Sequence, residues 1–117
     1  MTMLEKKKVL LAEDDSSMRR FIEITLQKAG FEVLTAEDGL AAMQIALESE
    51  IDAVVADAIM PNMSGYDLCR MLRGRNIPCI ILSGLSENNT NGDLADAFLT
   101  KDTNLKEQLL SALQKLL

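Results

Sequence analysis

The run Ile51-Asp52-Ala53-Val54-Val55-Ala56-Asp57-Ala58-Ile59-Met60-Pro61 constrains this chain more than any other stretch. Its middle, Ala53-Val54-Val55-Ala56, is short, apolar and β-prone, the pattern of a strand buried on both faces. The strand ends in a carboxylate, Asp57, and soon afterwards meets Met60-Pro61. Proline cannot donate to a central ladder, so Asp57 stands at the C-terminal lip of the strand. In an open parallel α/β sheet, that lip is where ligands bind. An aspartate there can also simply cap the next turn. The other strands decide between these meanings.

Four more runs share the form. Lys8-Val9-Leu10-Leu11-Ala12 reads as a buried first strand and stops at Glu13-Asp14-Asp15. Phe31-Glu32-Val33-Leu34-Thr35-Ala36 is a shorter, more exposed second strand. Ile77-Pro78-Cys79-Ile80-Ile81-Leu82 stops at Ser83-Gly84, and Ala97-Phe98-Leu99-Thr100 stops at Lys101. Helical patterns lie between them. Met18, Phe21, Ile22, Thr25, Leu26 and Ala29 form one stripe, with Ser16 or Ser17 as the cap and Gly30 as the stop. Asp38-Gly39 opens an alanine-rich helix to about Ser49. Ser64-x-x-Asp67 resembles a capping box for a helix through Arg73, and Asn104-x-x-Glu107 another for a last helix with Leu105, Leu109, Ala112, Leu113 and Leu116 inward. Alternating strands and helices predict an α/β fold: a doubly wound, five-stranded parallel sheet with right-handed crossovers and helices on both faces. A chain of 117 residues makes this a single domain, 1–117.

Composition narrows the function. The chain has no histidine, which excludes Ser-His-Asp and Cys-His catalysis within it. A net charge of −6 argues against direct grip on nucleic acid. No apolar run approaches the ~20 residues of a membrane span. The apolar stretch after Lys6-Lys7-Lys8 is too short for a signal peptide, so the expected compartment is the cytoplasm. With no histidine to share a metal, Cys69 and Cys79 read as two buried, reduced thiols.

The strand ends then gather Glu13, Asp14 and Asp15 from the first, Asp57 from the third, Ser83 from the fourth and Lys101 from the fifth. With strands one and three adjacent, these meet in one crevice. Carboxylates a few ångströms apart repel and persist together only around a cation. An oxygen-only cluster suits Mg²⁺. A carboxylate nucleophile, a hard metal, a hydroxyl and an ammonium fit phosphoryl transfer to an aspartate.

On these residues the chain resembles a response-regulator receiver domain of two-component signalling, chemotaxis-regulator-like. The matching motifs are Lys8 to Asp15 followed by Met18-Arg19-Arg20, Asp57-Ala58-Ile59-Met60-Pro61, Leu82-Ser83-Gly84, and Phe98-Leu99-Thr100-Lys101. The resemblance implies flavodoxin-like strand order 2-1-3-4-5. It makes Asp57 the phosphoacceptor and assigns Mg²⁺ to Glu13, Asp14, Asp57 and the backbone carbonyl of Ile59. Ser83 becomes the switch hydroxyl, Lys101 the phosphoryl contact and Phe98 the switch aromatic. It further implies a histidine kinase or histidine phosphotransfer protein as donor and a downstream protein partner. Contact with nucleic acid or membrane is not expected of this domain. Activity is then stoichiometric self-phosphorylation and autodephosphorylation rather than turnover of a substrate, in a bacterial stand-alone receiver. The alternative is a receiver-like interaction module that works without phosphorylation. Dehalogenase-type phosphatases want a second acid at position 59, which is isoleucine, and FMN carriers want a Ser/Thr/Gly loop where this chain has three acids.

Three departures from the family pattern stand out. Asp102 replaces the proline that usually follows the lysine, which predicts either a trans peptide with a shifted loop or a strained cis one. The span from Ser83 to Lys101 is short and holds Glu87-Asn88-Asn89-Thr90-Asn91-Gly92, a poor helix former. The fourth helix is therefore expected to shrink to a turn or give way to a mobile loop. Ile59 and Leu85 place aliphatic side chains beside the site, where they would shield an acyl phosphate from water.

Overall fold

A computed structural model describes residues 6–84 and 95–117. Five strands form, each where an apolar run is bounded by charge or turn residues: β1 (Lys8–Ala12), β2 (Glu32–Ala36), β3 (Ala53–Asp57), β4 (Cys79–Ser83) and β5 (Ala97–Thr100). They make one all-parallel sheet in the order β2-β1-β3-β4-β5. This is the flavodoxin-like order expected. β1, β3 and β4 are the inner strands, and Val9 to Ala12, Ala53 to Ala56 and Ile80 to Leu82 are wholly buried. Continuous apolar runs are what a strand covered on both faces requires.

Four helices occur among the described residues: α1 (Ser16–Lys28), α2 (Gly39–Glu48), α3 (Gly65–Arg73) and α4 (Leu105–Leu116). α2 and α3 bury Ala42, Ala46, Leu68, Cys69 and Leu72 against one face, with Leu10, Val54, Ala56 and Ile81. On the other face α1 and α4 bury Ile22, Leu26, Leu105, Leu109 and Leu113 against Val9, Leu11, Val55, Ile80 and Leu82. The turn or loop expected in place of a helix between β4 and β5 falls mostly on residues 85–94, outside the described residues, as does Leu85; Ala95 and Asp96, which are described, are not helical. No described helix is long and apolar enough to cross a membrane.

Several local expectations are corrected. Asp15, not Ser16 or Ser17, caps α1, its carboxylate accepting from the Met18 N–H at 2.7 Å. Asp15→Ala is expected to cost about 1 kcal/mol in urea unfolding, and Ser16→Ala or Ser17→Ala much less. Phe21 and Ala29 leave the buried stripe; Phe21 is 50 % exposed because α1 turns it off the contact line. Asn104 makes no side-chain cap. Asp102 supplies the turn instead, its carboxylate accepting from the Asn104 N–H at 2.9 Å and its carbonyl from the Leu105 N–H at 3.1 Å. Ser64 does cap α3, accepting from the Asp67 N–H at 3.1 Å, and Gly30 takes φ 100° after α1.

Cys69 and Cys79 are not two separate thiols. Their sulfurs are bonded, which joins α3 to the start of β4. They stand ten positions apart in sequence, and only the packing of α3 on the sheet sets them face to face.

Candidate functional site

Parallel register carries the ends of β1, β3, β4 and β5 to one edge. Ala12 pairs with Ala56, Asp57 with Leu82, and Ser83 with Thr100. The residue after each end then faces the same crevice. Asp57 is the last residue of β3, as the apolar run implies.

Glu13 is fixed on several sides. Its N–H continues the sheet to the Ala36 carbonyl at 3.1 Å, and its own carbonyl accepts from the Arg19 guanidinium at 2.9 Å. Its carboxylate accepts from the Asp15 N–H at 3.1 Å and from Lys101 Nζ at 2.6 Å. Lys101 Nζ also lies 3.0 Å from the Asp57 carboxylate. The Lys101 backbone is itself anchored, its N–H donating to the Ser83 carbonyl at 2.7 Å. One ammonium, following β5, therefore bridges two carboxylates brought from the ends of β1 and β3.

Burial dominates the ionisation of Glu13. Its side chain is 1 % exposed, and desolvation pushes its carboxyl up to about 7, with the Lys101 ammonium opposing and Asp57 adding to the rise. For Lys101, desolvation disfavours the ammonium, but its bonds to Glu13 and Asp57 outweigh that and raise its pKa. Asp14 is exposed. Oxygens of Glu13, Asp14 and Asp57 nevertheless lie within 4.8 Å of one another. Ser83 is 4 % exposed at the end of β4, one residue past the partner of Asp57. The next backbone step is tied too, the Ala58 N–H donating to the Leu82 carbonyl at 2.8 Å.

The profile of the response regulator receiver domain family matches residues 9–114. The chain belongs to that family. Among curated relatives, the probable transcriptional regulator ycf27 of Cyanophora paradoxa is 40 % identical over 94 residues, covering 80 % of this chain and 37 % of that protein. The chain spans well under half the length of such relatives. Among solved structures, chemotaxis protein CheY4 of Vibrio cholerae has a TM-score of 0.87 at 32 % identity, covering 97 % of this chain and all of that one. The response regulator TrrA of Thermotoga maritima, solved in complex with Mg²⁺ and BeF, has a TM-score of 0.88 at 28 % identity, covering 95 % and 99 %.

In this receiver domain the acids suit a hard cation: three carboxylates, oxygen donors only, at the open edge of a sheet. Between Glu13 and Asp57 the Lys101 ammonium offsets one of the two negative charges and leaves the other, with Asp14, for a cation. The Lys101–Asp102 peptide is trans, and Asp102 forms the turn into α4. Ile59 is 74 % exposed, with its N–H turned toward the Asp57 carboxylate at 3.5 Å.

Phe98, on β5, is partly buried against the α2–α3 face of the core and stacks on Tyr66 of α3, with centroids 6.3 Å apart. Sequence reasoning assigned no role to Tyr66 or Arg19, although Arg19 lay within a quoted motif. It also passed over Gly65. A Cβ at Gly65 would overlap the Asp57 carbonyl oxygen, and the Gly65 N–H donates to the Ala58 carbonyl at 3.0 Å. α3 can start this close to the end of β3 only on glycine. Gly65→Ala is expected to lower stability by at least about 2 kcal/mol, measured by urea unfolding.

Proposed function

We propose that this receiver domain is a phosphorylatable switch in which Asp57 accepts a phosphoryl group from the phosphohistidine of a histidine kinase or histidine phosphotransfer protein. The observation that carries the reading is the Asp57 carboxylate, 3.0 Å from Lys101 Nζ and within 4.8 Å of the Glu13 and Asp14 oxygens. Attack by an Asp57 oxygen forms the acyl phosphate P–O bond, and the P–N bond to the donor imidazole breaks. Lys101 stabilises charge on the phosphoryl oxygens as they pass. Glu13, Asp14, Asp57 and the Ile59 carbonyl would hold Mg²⁺, which supplies further charge neutralisation when bound. Ser83 holds a phosphoryl oxygen of the product and is drawn toward it.

Movement of Ser83 makes room for Phe98 to turn inward. That equilibrium between two packings is the output, read by a protein partner at the β5–α4 side. The reaction is stoichiometric, and the domain turns over no other substrate. It works in the cytoplasm, where its phosphohistidine donor is made, without gripping nucleic acid or membrane itself.

The test is amide chemical shifts with Mg²⁺ and beryllofluoride, a stable phosphoryl mimic, in wild type and Asp57→Asn. The expected result is shifts at Ser83, Phe98 and Lys101 that require Mg²⁺ and Asp57 together. Silence at saturating Mg²⁺ would sink the switch and favour an interaction module that works without phosphorylation.

A further inference from the structure

Cys69 and Cys79 take no part in the chemistry at Asp57. Cys69 lies on α3, and Cys79 opens β4 at the opposite edge of the sheet from Ser83. Both are almost wholly buried, and their Cα atoms are 5.8 Å apart, within the range a disulfide spans. A cleft of about 400 Å³, lined by Cys69, Arg73, Ile77, Pro78, Cys79 and Asp96, opens beside them. The pair therefore lies just beneath the surface, at the wall of a cleft, rather than at the centre of the core.

Cys79 is also where two further elements are tied. Its N–H donates to the Asp96 carboxylate at 2.8 Å, and its carbonyl accepts from the Asp96 N–H at 2.8 Å. Asp96 leads directly into β5. A bond between Cys69 and Cys79 thus fastens α3, the start of β4 and the start of β5 at one point. As thiols the same side chains would still pack as small apolar groups. The fold therefore stands in both states, which is what a reversible site needs.

We propose that Cys69 and Cys79 form a reversible dithiol–disulfide modification site, oxidised by a low-molecular-weight disulfide and reduced by the corresponding thiol. One cysteine thiolate attacks a sulfur of the small disulfide and expels one thiolate, leaving a mixed disulfide. The second cysteine attacks that bond and expels the other. One S–S bond breaks and one forms, and two electrons pass from the protein to the small disulfide. The two cysteine protons end on the two thiols released.

The test uses the full chain equilibrated in mixtures of reduced and oxidised glutathione, quenched in acid and alkylated for intact-mass measurement. Reduced protein should carry two alkyl groups. Oxidised protein should carry none and weigh about 2 Da less before alkylation, with the change reversing on return to thiol. The monomeric oxidised form should melt roughly 5–10 °C higher, because the bond constrains the unfolded chain. Its amides in α3 and at residues 79 and 80 should exchange more slowly. Cys69→Ala and Cys79→Ala should each melt at one temperature in both buffers. Two alkylatable thiols throughout the series, a bond that glutathione cannot reduce, oxidation only to intermolecular dimers, or equal melting of both wild-type forms would each overturn the proposal. The wild-type comparison needs no variant to fold.

Discussion

Lys101→Met is expected to slow phosphorylation of Asp57 by acetyl phosphate about a hundredfold or more at saturating Mg²⁺. Methionine keeps the length and apolar stem of lysine while deleting the ammonium. That ammonium lies 3.0 Å from the Asp57 carboxylate and is held there by its 2.6 Å bond to Glu13. A preoriented donor aimed at developing charge contributes about 10²–10³ in rate when removed singly. Stability should suffer less, because Glu13 can take up a proton and relieve its repulsion with Asp57. Phosphoprotein formation followed by intact mass gives the rate. A variant within threefold of wild type would show that Lys101 only closes the ion pair and plays no part at the phosphoryl group.

The second large effect is on the pH dependence of folding. Glu13 has a carboxyl pKa of about 7 when folded, against 4.5 for the unperturbed group, chiefly because burial disfavours its charge. A raised carboxyl pKa means the folded state binds more protons than the unfolded one between these values. Below about pH 4.5 both states are protonated there and Glu13 carries no penalty. As pH rises from 4.5 through 7 the penalty grows, and above 7 it is complete, on the order of 3 kcal/mol. Without added metal, the urea midpoint should therefore fall between pH 5 and pH 8. Glu13→Gln, which cannot ionise, should flatten that fall. Mg²⁺ should reverse it, stabilising more at pH 8 than at pH 6, because the cation competes with the proton for the same oxygens. An unchanged slope in Glu13→Gln would place the titration elsewhere.

Most of the fold was legible because a parallel sheet leaves a strong local trace. Strands covered on both faces must be apolar throughout, and each of the five was found from its own residues. Asp57, Ser83 and Lys101 were found the same way, since a polar residue at the end of such a run is conspicuous. Capping was misread at two ends, and for a common reason. Ser16, Ser17 and Asn104 have the right chemistry, but Asp15 and Asp102 have the right backbone position, and position depends on how the chain leaves the preceding strand. Phe21 was placed in the core because its spacing fits, whereas burial depends on which neighbour lies opposite.

The amino-acid sequence by itself determined the α/β class, the order of elements and the acids, hydroxyl and lysine at the strand ends, because these follow from periodicity and from side-chain chemistry. Only the tertiary structure decided that Lys101 reaches Glu13 and Asp57 together. It alone put Cys69 on Cys79, Tyr66 on Phe98, and Gly65 against the Asp57 carbonyl. Each of those pairs joins different elements. Their meeting depends on strand register and on how helices seat on the sheet, and neither leaves a mark at short range along the chain.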